Sequence, residues 1–136
     1  MVERLVANEK VEGSTPFARS IFMNDLLKKK CVPCEGDVAA FDISEIHRYQ
    51  KKVDDWDLNK DEKGIYFLEK KFNFNNFLES QKFVNEVSII SEEEGHHPDI
   101  SFGWGYAKIN ITTHAIEGLS ENDFILAAKI DKKTNV

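Results

Sequence analysis

Apolar and polar positions along the chain separate into a few periodic stretches. Residues 1–22 show no lasting period, and 23–40 form a second irregular stretch around Cys31-Val32-Pro33-Cys34-Glu35-Gly36. From Ser44 to about Asp54, Ile46, Tyr49 and Val53 fall at helical spacing, with Ser44 the expected N-cap and Glu45 at the positive helix end. Trp56-Asp57-Leu58 reads as a short strand, Asp61-Glu62-Lys63-Gly64 as a turn, and Ile65 to Phe74 as a longer strand closing a hairpin. In that strand Tyr66, Leu68, Phe72 and Phe74 share one face, and Lys70 is the exception.

The next helix is expected from Asn75 or Asn76, as cap, to Glu94. Phe77, Val84 and Val87 form its stripe, Phe83 and Ile90 widen it, and Gly95 sits where a left-handed cap belongs. Ile100, Phe102 and Trp104 alternate, as do Ala107, Ile109 and Ile111, with Gly103 and Gly105 blurring the boundary between two strands. A last helix opens at Ser120, with Asp123 as the third residue of a capping box and Leu119 and Phe124 as a hydrophobic staple. The order helix-strand-strand-helix-strand-strand-helix predicts an α+β fold. Its four-stranded antiparallel sheet carries three helices on one face.

Length changes the picture little: 136 residues make one ordinary domain, and 41% hydrophobic residues supply a core without staples. A net charge of −6 with interspersed signs gives no footing for nucleic acid, and Lys28-Lys29-Lys30 reads as a solvated face. No stretch approaches the roughly 18 apolar residues of a membrane span, and no secretory h-region opens the chain. Two cysteines make no disulfide framework, so a reducing, cytoplasmic setting is expected.

Chemistry concentrates in the four histidines. His96 and His97 follow Gly95 directly and precede Pro98, which forbids helix continuation. His114 is expected to end the strand through Lys108, Asn110 and Thr112, all on its polar side, whereas His47 lies on the first helix and looks ordinary. The residues alone leave three readings open: metal ligation, proton transfer, or a solvated surface. Adjacent histidines on an extended turn diverge, which disfavours a shared metal. A side-chain pKa near 6.5 suits proton transfer.

The arrangement resembles a known family. Glu92, then His96-His97-Pro98, Trp104, His114 and Asp123 match the signature of the pterin-4a-carbinolamine dehydratases. Glu93-Glu94-Gly95-His96-His97-Pro98-Asp99-Ile100, Thr112-Thr113-His114 and Gly118-Leu119-Ser120-Glu121-Asn122-Asp123 extend it, as do Trp56, the Phe72-Asn73-Phe74…Phe77 run and the Cys31…Gly36 leader. The resemblance covers roughly 27–131. It divides the chain into an N-terminal extension (1–26), a dehydratase-like domain (27–131) and a short tail (132–136), with Met23 the expected native start.

The resemblance implies dehydration of 4a-hydroxytetrahydrobiopterin to quinonoid dihydropterin by histidine acid–base chemistry, without metal or cofactor. His96, His97 and His114 become the catalytic residues, with His96 and His114 the acid–base pair. Glu92, Gly95, Thr112, Thr113 and Asp123 become the substrate-binding residues. Gly95 departs from the Asp or Asn of many relatives, which leaves only backbone contact there. Asp123 also fits a capping role, and Trp56 and Trp104 fit either stacking or core roles. Implied partners are the pterin, a second copy or a tetramer of the chain, and an aromatic amino-acid hydroxylase. A non-catalytic dimerisation module, or a hydroxylase-assisting protein of the same fold, is the alternative.

Overall fold

The computed structural model describes residues 26–31 and 39–134. The readings that rest on Met23 and Cys34 lie outside these residues. Three helices and four strands follow one another as α1 (Ile43–Gln50), β1 (Asp57–Lys60), β2 (Tyr66–Asn73), α2 (Phe77–Glu94), β3 (Asp99–Gly103), β4 (Tyr106–Ile111) and α3 (Glu121–Thr134). The sheet is antiparallel throughout, in the order β1-β2-β4-β3.

Register decides which face is buried. Leu58 pairs with Leu68, Leu68 with Ile111, Phe72 with Ala107, and Ile100 with Ile109. Directly opposed side chains share a face, so these residues form one apolar surface. Phe83, Val87 and Ile90 of α2, Ile46 of α1, and Phe124, Leu126 and Ile130 of α3 close over it in a single core. Each large side chain so buried contributes about 1.5–3 kcal/mol. The opposite face, with Glu69, Lys71, Lys108 and Asn110, stays open to solvent or half-buried.

Several boundaries differ from the sequence expectation. Asp42, not Ser44, caps α1: its carboxylate accepts from Glu45 N at 2.8 Å, while Glu45 Oε1 accepts from Asp42 N at 3.2 Å. The helix ends at Gln50, before Asp54. Bonds from Lys52 N to Tyr49 O and Val53 N to Gln50 O tighten the chain beyond it, which keeps Val53 in the core. Trp56 lies before β1 and is buried. Trp104 belongs to the β3–β4 turn and is 72% exposed, so it has no core role.

Lys70, the exception on the apolar face of β2, answers a charge that the sequence reading passed over. Its Nζ reaches Asp131 Oδ1 at 2.8 Å and Asp54 O at 2.5 Å. Asp131 is fully buried and also accepts from Trp56 Nε1 and Asp54 N, each at 3.0 Å.

The core also reaches into the leader. Leu26 is buried in it, and Cys31 N donates to Glu94 Oε1 at 2.9 Å. Burial, then the neighbouring Glu94 carboxylate, pushes the Cys31 thiol up to about 12. Residues 132–134 continue α3. No described helix is long and apolar enough to cross a membrane.

Candidate active site

The site forms where the ends of α2, β4 and the start of α3 meet. At the end of α2, Gly95 adopts φ 65°, a left-handed conformation that glycine enters without a Cβ penalty. His96 N then bonds Ser91 O at 3.1 Å and Gly95 N bonds Glu92 O at 3.3 Å. This bond pair is a Schellman motif, and it fixes where His96 leaves the helix.

The third histidine is placed differently from expectation. β4 ends at Ile111, and Thr112 Oγ1 donates to Tyr66 O at 2.8 Å. Thr113 bridges to Gly118, and His114 begins a short 3₁₀ turn, His114–Ile116. Gly118 is required by close packing, because a Cβ there would meet Ala40 Cβ at 2.7 Å. The loop therefore folds back on the chain entering α1, and His114 is left facing outward.

Asp123 ties these segments together. It is fully buried. Its Oδ2 accepts from Thr113 Oγ1 and from Ser120 N, each at 2.8 Å, and its Oδ1 lies 2.7 Å from His96 Nε2. The bond from Ser120 N is the expected capping-box contact. The histidine contact adds a second role that the sequence left undecided. Asp123 has no exposed surface of its own and reaches the cleft through its contact with His96. A carboxylate at Nε2 places the ring proton there, so neutral His96 offers Nδ1 as its basic nitrogen.

The other histidines are held more loosely. His97 Nε2 pairs with Glu92 Oε2 at 2.5 Å, but both side chains are mostly exposed, at 59% and 77%. Glu92 thus meets His97 rather than His96. The His114 ring has no hydrogen-bond partner among the described residues. Thr113 is buried and spends its hydroxyl proton on Asp123. His47 lies apart, on α1.

Two clefts adjoin at this place. A broad one of about 400 Å³ is lined by Gly95, His96, His97, Thr112, Thr113, His114 and Ala115. A more enclosed one of about 270 Å³ is lined by Asp61, Ile65, Phe67, His97, Asp99, Asn110, Thr112 and His114. All three histidines and five further expected residues are thereby brought together, Glu92 through His97 and Asp123 through His96. Sequence reading missed Asp61, Ile65, Phe67, Asp99 and Asn110. The even spacing of Asn110 and Thr112 along one strand face was the available signal for Asn110. Among the described residues, no three of His, Cys, Asp and Glu converge as metal ligands.

Comparison with known proteins identifies the family. Residues 39–133, which hold every residue of both clefts, match the family model described as pterin 4 alpha carbinolamine dehydratase. Two bacterial relatives carry the name "Putative pterin-4-alpha-carbinolamine dehydratase". That of Halorhodospira halophila is 49% identical over 78% of this chain and 94% of its own length. That of Rubrobacter xylanophilus is 44% identical over 81% of this chain and 99% of its own. A crystal structure from Brucella melitensis, described as a transcriptional coactivator/pterin dehydratase, shares the fold with a TM-score of 0.61. It is 22% identical and aligns over 68% of this chain and 96% of that one. With the matched segment enclosing the three histidines and the buried aspartate that holds one of them, the chain belongs to the pterin-4a-carbinolamine dehydratase family.

Proposed function

We propose that this protein eliminates water from 4a-hydroxytetrahydrobiopterin to give quinonoid dihydropterin, in the recycling of tetrahydropterin. The observation that carries the reading is the buried Asp123 bonded to His96 at 2.7 Å beside a cleft that also holds His97 and His114.

The chemistry asks for two proton transfers. The C4a–O bond breaks, and the departing hydroxide must receive a proton to leave as water. The N5–H proton must be taken up as the C4a–N5 double bond forms. Oxidation state is unchanged overall, so neither a metal nor a redox cofactor is called for. His96 is suited to the base: Asp123 keeps its proton on Nε2, leaves Nδ1 to accept, and stabilises the imidazolium that results. Exposed, and without a hydrogen-bond partner among the described residues, His114 is placed to deliver a proton to the hydroxyl. His97, with Glu92, closes the wall between them. Positioned acid–base groups of this kind contribute about 10²–10⁴-fold. Gly95 and Thr112 border the substrate, Thr112 as an acceptor, since its proton is engaged with Tyr66 O. A hydroxylase that releases the carbinolamine is the expected source of substrate, and a homodimer or homotetramer the expected assembly.

The test is direct. Purified protein is mixed with freshly generated carbinolamine, and formation of the quinonoid product is followed by stopped-flow absorbance. The expected result is a rate far above that of buffer, retained after exhaustive chelation. A rate equal to buffer would leave the binding-module reading in its place.

A further inference from the structure

The enclosed cleft beside the histidines is unlike its neighbour. The broad cleft is lined by polar groups, glycine and a single Ala115. The enclosed one has an apolar wall, Ile65 and Phe67, facing polar groups on β3 and β4. Phe67 projects from the open face of the sheet, as do Asp99 and Asn110, which stand directly opposite each other across β3 and β4. Asn110 donates to Glu69 Oε2 at 2.9 Å once its amide is oriented to suit its neighbours. Asp61 Oδ1 accepts from Lys63 N at 2.8 Å and Ile65 N at 3.0 Å, so it holds the β1–β2 turn. The Asp99 carboxylate has no partner among the described residues. A carboxylate left unpaired on the lining of a half-apolar cleft is available to a ligand carrying N–H donors.

This inference rests on the pterin reading above and refines it. A 4a-hydroxytetrahydropterin has two unlike halves. The pyrimidinone half is flat except at the tetrahedral C4a, with N3–H and a 2-amino group forming a donor edge. The other ring is saturated and bears the hydroxylated side chain at C6. The reacting C4a lies at their junction. The two clefts likewise join at His97, Thr112 and His114, which line both. We propose that the enclosed cleft takes the pyrimidinone ring against Phe67 and Ile65, and that Asp99 accepts its N3–H and 2-amino protons as the specificity anchor. C4a then falls at the junction, beside the histidines. The C6 side chain runs out into the broad, polar cleft. Asp99 selects for the 2-amino-4-oxo edge, and Phe67 supplies a flat surface that does not discriminate between heterocycles.

Equilibrium binding to the full chain tests this with two probes. They are biopterin and the lumazine of the same side chain, in which a 2-oxo group replaces the 2-amino group. The wild-type chain is expected to bind biopterin about ten- to a hundredfold more tightly, the range for a charge-assisted hydrogen bond left unmade. Asp99→Asn should bring that ratio close to one by weakening biopterin. Asp99 is solvent-exposed on an edge strand, so circular dichroism should be unchanged. Phe67→Ala should weaken both probes by the same factor.

A wild-type ratio near one, or an unchanged ratio in Asp99→Asn, would overturn the assignment. So would a collapse of the ratio in Asp61→Asn alone. Carbinolamine turnover by the wild-type chain is followed in parallel. Turnover alongside an unchanged ratio in Asp99→Asn overturns the anchor and leaves the dehydratase reading standing. Absence of turnover overturns that reading, while the binding ratio still judges the anchor.

Discussion

His96 Nε2 lies 2.7 Å from Oδ1 of Asp123, a carboxylate with no exposed surface, although 27 positions separate them in the chain. The contact joins the end of α2 to the start of α3. Two other donors, Thr113 Oγ1 and Ser120 N, occupy Oδ2 and hold the carboxylate in one orientation. Asp123→Asn should therefore keep the fold and change the chemistry. The amide oxygen would face the two fixed donors, and its NH₂ would face His96. That forces the proton of His96 onto Nδ1, the nitrogen expected to act as base. Turnover should fall by about 10²–10⁴-fold with KM little altered. A loss confined to KM, or one of less than about tenfold, would reduce Asp123 to a helix cap.

Among the histidines, the ordering follows from what holds each ring. His96→Ala and His114→Ala should each lower turnover by on the order of 10²-fold or more. His47→Ala, remote on α1, should do little. Glu92→Gln tests the exposed pair with His97, and an exposed pair contributes at most about 1 kcal/mol. Its expected effect is thus below about tenfold. Equal, small effects at His47, His96 and His114 would support the binding-module reading.

Much of this was legible in the sequence because local rules and burial agreed. Gly95 announced the end of α2, since the bonds that satisfy the last carbonyls need a left-handed residue. Alternation of Ala107, Ile109 and Ile111 gave β4 its buried face. What escaped depended on contacts distant in the chain. Lys70 looked misplaced until Asp131, 61 positions away, supplied its partner. Trp104 continued an alternation that a glycine-flanked turn interrupts. Ser44 was the expected cap of α1, and only the reciprocal bond with Glu45 reveals Asp42 in that place. The lining of the enclosed cleft was hidden because it draws on the β1–β2 turn, β2, β3 and β4 together, and no spacing rule spans them.

Cys31 should be inert in the folded chain. Burial, reinforced by the Glu94 carboxylate, raises its thiol from 9.0 to about 12, and only the thiolate is nucleophilic. Iodoacetamide at pH 8 should label Cys31 on the order of 10²-fold more slowly in native than in unfolded protein, read by peptide mass spectrometry. The linked effect on stability has a definite sign. The folded chain holds this proton where the unfolded chain releases it, so stability is lost as pH rises from about 9 toward about 12. Rapid native labelling at Cys31 would mean that the leader leaves its place beside Glu94.

The buried pair of Lys70 and Asp131 offers the sharpest test of the scaffold beneath the site. Burial raises the Asp131 carboxyl above its ordinary value, and the hydrogen bond and charge of Lys70 oppose that rise. Lys70→Met preserves the length of the side chain and removes the charge, so Asp131 would stay buried with the N–H groups of Trp56 and Asp54 as its remaining donors. Removing one partner of a buried pair costs about 3–5 kcal/mol. Urea unfolding at pH 7 should show a loss of that order. The deficit should also depend on pH in one direction. A raised folded-state pKa means that the folded chain takes up the Asp131 proton first, and a neutral carboxyl needs no cation. The penalty of Lys70→Met should therefore shrink as pH falls through the range above the ordinary Asp value of 3.8. A deficit below about 1 kcal/mol at pH 7 would show that Asp131 is protonated or hydrated in the variant. A deficit independent of pH would place the loss in side-chain packing against Phe72, whose ring centroid lies 4.9 Å from the Lys70 ammonium.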